Sequence, residues 1–109
     1  PEVNKDTEAK IKEAAKRIFV QKGFDGARVR DIADEAGVNI ALVNYYFRSK
    51  DQLFRQIYLE EYTGFFARML SSLNDETPFE VKIWQIADKY IDFLVQNPMI
   101  PTFILTELL

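Results

Sequence analysis

Residues 27–53 read Ala27-Arg-Val-Arg-Asp-Ile-Ala-Asp-Glu-Ala-Gly37-Val-Asn-Ile-Ala-Leu-Val-Asn-Tyr-Tyr-Phe47-Arg-Ser-Lys-Asp-Gln-Leu53. Val29, Ile32, Ala33 and Ala36 recur at three- and four-residue spacing, which predicts a short helix over about residues 29–36. Gly37 breaks it, because glycine takes the left-handed backbone of a helix end without steric penalty. Asn39 is a good N-cap, so a second short helix is expected from there to about Phe47. A short helix, a tight glycine turn and another short helix describe a helix-turn-helix, whose second helix enters the DNA major groove.

The pattern extends outward from this stretch as helix. Upstream, Ile11, Ala14, Ala15, Ile18 and Phe19 form one apolar face, predicting a helix over about Thr7–Lys22. Asp6 or Thr7 would cap its start and Gly23 would end it. Downstream, Ser49-Lys50-Asp51-Gln52 is a capping box that opens a long helix to about residue 73, with Gly64 as a point of slight bending. Asn74-Asp75-Glu76 reads as a loop. Thr77-Pro78-Phe79-Glu80 is a second capping box with proline at the first helical position, and Asn97-Pro98 stops that helix. A last helix is expected from about Pro101. Its apolar end, Phe103 to Leu109, predicts that further chain covers it; the alternative is a terminal helix that docks on its own domain. No stretch alternates long enough to predict a strand.

Composition narrows the chemistry. The 109 residues contain neither cysteine nor histidine, which removes disulfides, thiol nucleophiles, Cys/His zinc sites and histidine acid–base catalysis. Carboxylates are plentiful but lie on helical surfaces, and no phosphate-binding glycine loop is present, so an enzyme is the least favoured class. No metal, cofactor or catalytic residue is implied. The apolar runs are far shorter than the roughly 18 residues of a spanning helix, and no charged-then-apolar leader opens the chain. The chain reads as cytoplasmic, with no membrane partner. Charge is uneven: residues 1–58 carry 11 basic and 9 acidic side chains, residues 59–109 carry 3 and 8. That asymmetry suggests different partners for the two halves.

The residues Val29-Arg-Asp-Ile-Ala, Ala36-Gly37-Val38, Tyr46-Phe47 and Ser49-Lys50 before Asp51 and Leu53 closely resemble the DNA-binding segment of the TetR family of bacterial transcriptional regulators. Ala15, Phe19, Gly23 and Phe24 fall where that family places its first helix and turn. The resemblance implies an all-α fold. A three-helix, homeodomain-like helix-turn-helix domain (1–50) precedes a connecting helix and the first helices of an effector-binding and dimerisation domain (51–109, incomplete). It also implies a homodimer on a near-palindromic double-stranded DNA operator, regulated by a small-molecule effector of unknown identity. A repressor released by that effector is expected. The sequence departs from the family at Arg28, where a helix-2 cap is usually Ser or Thr. It departs again at Ala41, often glycine, and at Asn44, where a phosphate-binding tyrosine is usual.

Nine residues are candidate DNA contacts. Arg30 would reach a phosphate or a guanine edge; its alternative is an ion pair with Asp34 one turn on. Asn39, Ile40, Ala41 and Leu42 form the first turn of the recognition helix. Ile40 and Leu42 can touch thymine methyls or help fill the core, while Ala41 permits close approach. Asn44 can pair with adenine or reach a phosphate, and Tyr45 offers a hydroxyl to the backbone. Tyr46 is expected to pack its ring and aim its hydroxyl at a phosphate. Lys50, in the first turn of the long helix, reads as a phosphate clamp, with a plain surface lysine as the alternative. Arg48 is a weaker candidate.

Aromatics from Tyr62 to Phe103, including Trp84, either line an effector pocket or form ordinary core, so no effector ligand is named. The rival to DNA binding is a helical protein-interaction module. In that case the apolar recognition helix would be a protein interface, and Arg30, Arg48 and Lys50 would scatter away from Tyr45.

Overall fold

The computed structural model describes residues 4–108, which hold six helices: α1 (Lys5–Gly26), α2 (Val29–Ala36), α3 (Ile40–Phe47), α4 (Lys50–Ser72), α5 (Phe79–Gln96) and α6 (Met99–Leu108). No strand occurs among the described residues. Two compact units divide the chain, one ending at Ile57 and one beginning at Tyr58. The first unit therefore extends past the expected boundary at residue 50, because Leu53, Phe54 and Ile57 of α4 are buried.

In the first unit, Ile11, Ala14, Ala15, Ile18 and Phe19 form the buried face of α1, as their spacing predicts. The helix starts earlier than Asp6. The Asn4 Oδ1 accepts the N–H groups of Asp6 (2.9 Å) and Thr7 (3.3 Å), satisfying two donors that the first turn leaves over. Gly23 has the expected positive φ (73°), but the chain then winds one more turn, and the Ala27 N–H closes it onto the Gly23 carbonyl (3.1 Å). That extra turn carries Phe24 into a cluster with Phe19 and Phe54, with ring centroids 4.9–6.0 Å apart.

Helix α2 buries Ile32, Ala33 and Ala36. At its start the Arg28 N–H donates to Asp31 Oδ2 (3.1 Å), half of a capping box; an arginine side chain cannot accept the reciprocal bond. Gly37 (φ 71°, ψ 34°) ends it. The Val38 N–H reaches Ala33 O (3.0 Å) and the Gly37 N–H reaches Asp34 O (3.2 Å), the two bonds of a Schellman turn. This turn aims α3, which buries only Val43 and Phe47.

In the second unit, Tyr62, Phe65 and Phe66 of α4 meet Tyr90 and Phe93 of α5, and Tyr62 also meets Phe103 of α6. Phe65 and Phe93 stack at 4.2 Å, and the Tyr62 and Tyr90 hydroxyls are 2.9 Å apart. Burial, with Tyr62 alongside, pushes the Tyr90 phenol up to about 12. Helix α4 runs unbroken through Gly64.

Two expected boundaries shift. Pro78, not Thr77, is the N-cap of α5, and no side chain caps it. The cause lies upstream: Asn74 folds the loop, its Oδ1 accepting from the Glu76 N–H (2.9 Å) and its carbonyl from the Thr77 N–H (3.0 Å). Helix α6 starts at Met99 rather than Pro101. Pro101 fits within its first turn, where a backbone N–H has no helical acceptor. Of the apolar chain end, Leu105 is exposed, while Leu109 lies outside the described residues.

Two stability tests follow from the turn and its neighbour. A Cβ added at Gly37 meets nothing within 4 Å, so Gly37→Ala carries backbone strain alone. It should lower unfolding free energy by about 1–2 kcal/mol in urea, without changing the m-value. Lys22, 3.3 Å from Asp31, and the Arg28 N–H hold the Asp31 carboxyl below its ordinary 3.8. A depressed carboxylate stabilises the fold above its unfolded pKa and loses that contribution as pH falls through the folded value. Asp31→Asn should therefore flatten the acid limb of the stability–pH curve; an unchanged limb would show that Asp31 contributes nothing there.

Candidate nucleic-acid interface

Helix α3 is too short to be stable alone, so its inner side is fixed by the packing of Val43 and Phe47. Its opposite side is then presented to solvent. Ile40 is 41% and Tyr45 48% exposed, Asn39, Ala41 and Asn44 are exposed, and Leu42 is half-buried. Of the two apolar candidates, Ile40 stands out and Leu42 is partly used by the fold.

The cap decides what Asn39 can offer. Its Oδ1 accepts the Ala41 N–H (2.8 Å), which leaves its amide donors for an outside partner and removes the paired acceptor that adenine recognition needs. Asn44 differs: its side-chain amide makes no hydrogen bond with another described residue. Both its donor and acceptor are therefore present at the surface.

Tyr46 is half-buried and held. Its hydroxyl accepts the backbone N–H of Asn4 at 2.7 Å, and its ring meets Tyr45 (5.4 Å) and Phe47 (6.2 Å). The residue that caps α1 thus also fixes the side of α3. Nothing in the sequence signals this link, since the partners stand 42 positions apart.

Arg30 is exposed and the alternative Arg30–Asp34 ion pair is absent. Arg48 is also exposed, at the C-terminal end of α3. Its φ of 70° and ψ of −43° sit under a Ser49 N–H to Phe47 O bond of 2.8 Å, so it is the centre of a strained γ-turn. That turn delivers Ser49 to cap α4, its Oγ accepting the Gln52 N–H (3.1 Å).

Lys50 is engaged by the fold itself. Its ammonium donates to Phe24 O (2.7 Å) and Ala27 O (3.1 Å) and lies 4.3 Å from the Phe24 ring centroid. Two of its three donors are turned into the fold, tying the first turn of α4 to the segment between α1 and α2. This internal tie stands beside the expected phosphate clamp, for which one donor of the ammonium remains. The reason for the tie is the extra turn after Gly23, which places two carbonyls and a ring face where the lysine reaches them.

The second unit contains a groove of about 380 Å³ between α4 and α5, whose lining includes Phe65, Arg68, Met69, Ser72, Lys89 and Phe93. Lys89 Nζ donates to Ser72 Oγ at 2.8 Å. Among the described residues no group of three His, Cys, Asp or Glu side chains is placed to hold a metal, and no helix is long and apolar enough to cross a membrane.

Residues 11–57 match the model of the bacterial regulatory proteins, tetR family. The chain is 46% identical over 59 residues to the probable HTH-type transcriptional regulator YttP of Bacillus subtilis, covering 54% of this chain and 28% of that protein. It is 29% identical over 101 residues to the HTH-type transcriptional repressor NicS of Pseudomonas putida, covering 93% of this chain and 48% of that one. A crystal structure described as a tetR family transcription regulator from Shewanella sp. PV-4 superposes with a TM-score of 0.74 at 28% identity, covering 89% of this chain and 52% of that one. The chain thus spans about half or less of the length of these relatives.

The internal role of Lys50 has a direct test. Lys50→Met keeps much of the stem but removes the donors from two carbonyls, and should destabilise the first unit by about 1–3 kcal/mol in chemical unfolding. An unchanged midpoint would mean that the ammonium is idle in the fold.

Proposed function

Because the chain belongs to the tetR family of bacterial regulatory proteins, we propose that its first unit binds operator DNA and that the protein regulates transcription as a homodimer. The observation that carries this reading is the outer side of α3, a helix set by a Schellman turn and capped by Asn39, with Ile40, Ala41, Asn44 and Tyr45 exposed. In helix-turn-helix docking the N-terminal residues of the second helix meet base edges. Asn44, with its amide donor and acceptor unused, suits an adenine edge. Ile40, and Leu42 in part, suit thymine methyls, and Ala41 lets the backbone come close.

Arg30, Tyr45 and Tyr46 are the proposed backbone contacts. The arginine would neutralise a phosphate, and the tyrosine hydroxyls would fix register without reading sequence. Lys50 has an indirect part: it holds the segment ahead of α2 and so keeps Arg30 and α3 in place. Two copies of the unit would present their recognition helices about 34–36 Å apart, matching a near-palindromic site.

A small effector in the second unit would alter DNA affinity only by binding one arrangement of the dimer better than another. The groove beside the Phe65–Phe93 stack, with Arg68 and Lys89 in its lining, is the seat we assign to it. The relative NicS is a repressor by name, and repression is the sign proposed here. A cytoplasmic location follows from that role.

Selection from random duplex DNA with the complete gene product should enrich an inverted repeat. Asn44→Ala should relax preference at one position of each half-site and cost about 1–3 kcal/mol. Arg30→Ala should weaken all sequences alike and reduce the slope of log affinity against log salt by about 1. Lys50→Met should leave that slope unchanged. Folded protein that enriches no sequence at low salt would overturn the proposal in favour of a protein-interaction module.

A further inference from the structure

The two fully buried side chains of α3, Val43 and Phe47, lie one turn apart and nearly in line along one side. Packing on such a line fixes a helix in depth better than in rotation, so a restraint on its roll has to act beside the line. Leu42 and Tyr46 lie there, both half-buried, and of the two Tyr46 alone can make a directional bond. Its hydroxyl accepts the Asn4 backbone N–H at 2.7 Å. Asn4 is itself held by its own side chain, whose Oδ1 accepts the N–H groups of Asp6 and Thr7. Toward solvent, about 100° further round the helix, the Tyr45 ring stands edge-on against the Tyr46 ring, with 5.4 Å between centroids. A cap at the start of α1 is thereby linked through one phenol to the outward side of α3.

We propose that Asn4 is a positioning residue for operator binding: the α1 cap holds its N–H on the Tyr46 hydroxyl, and this bond sets the roll of α3 and the stance of Tyr45. The inference rests on the reading of α3 as the helix that meets DNA. Exposure separates an orienting part from a stabilising one. The bond is exposed, so both groups find water when it breaks, and it adds little to folding. Its effect on geometry is larger. At the helix surface, about 5 Å from the axis, a roll of about 10° carries a side-chain tip about 1 Å sideways. Hydrogen-bond lengths span only about 0.5 Å, so that roll is enough to take Asn44 off a base edge and Tyr45 off a phosphate.

The complete gene product and the inverted repeat it selects supply the test. Asn4→Ala should weaken operator binding about 3- to 10-fold. Asn4→Ser, which restores a neutral cap acceptor, should recover it. In a Tyr46→Phe background Asn4→Ala should cost no further affinity. Its shift of the unfolding midpoint should persist there, because the bonds to Asp6 and Thr7 do not involve Tyr46. The slope of log affinity against log salt should stay unchanged, since no ionic contact is removed. Equal losses of affinity from Asn4→Ala in both backgrounds would overturn the proposal and leave Asn4 a stabilising cap alone. A reduced salt slope would also overturn it, assigning the effect to a lost contact of the neighbouring, exposed Lys5. Operator affinity unmoved by Asn4→Ala would sink this inference only, whereas folded native protein that selects no repeat would sink the reading of α3 with it.

Discussion

Two helices of eight residues each cannot hold their shape in water. That constraint governs the first unit. Helices α2 and α3 persist because Ile32, Ala33, Ala36, Val43 and Phe47 are buried in a core completed by α1 and the first turns of α4. The consequence reaches the surface. Since Val43 and Phe47 are the fully buried anchors of α3, with Leu42 and Tyr46 half-buried beside them, the remaining side chains are released from packing, and an apolar residue such as Ile40 can stand exposed at its start. An exposed apolar helix end would be a liability in most proteins; beside a groove that displays methyl groups it has a use.

The electrostatics are correspondingly restrained. The exposed arginines at 28, 30 and 48 lie close in sequence to α2 and α3, whereas Arg17 and Lys22 pair with Glu35 and Asp31. Lys50 is turned inward. With few outward cations beside α2 and α3, one copy gains a limited counterion-release contribution there, and in the proposed homodimer a second copy on the same site would add its own. The acidic second half adds nothing to DNA attraction, which fits a part of the chain whose surfaces face proteins or small molecules.

The periodic residues made most of this fold legible. The α1 face, the Gly37 turn, the Asn39 cap and the Ser49 cap all follow from local rules, because each involves residues within one or two turns of each other. What failed to be legible is non-local. The Asn4 bond to Tyr46 and the Lys50 bonds to Phe24 and Ala27 join distant positions, and a lysine in a first helical turn looks the same whether it faces solvent or two carbonyls. The misplaced start of α5 has a different origin. Thr77 could cap, but the Asn74 carbonyl three residues earlier takes its N–H, the donor that Glu80 would have bonded in a capping box. Competing local motifs are decided by small energy differences that spacing alone does not rank.

The position of Lys50 also bears on how a regulatory signal could reach α3. As the first residue of α4 it bonds to the segment from which α2 departs. Displacing the start of α4 must either break two charge-assisted bonds and a ring contact, or carry that segment along. Leu53, Phe54 and Ile57, buried behind it, oppose sliding of α4 within the unit because close-packed side chains resist small shifts. Carrying the unit as a body is the less costly course. A displacement of the start of α4 would then carry α3 whole rather than deform it, which in the proposed homodimer would leave the reading of each half-site intact while changing whether two half-sites are read together.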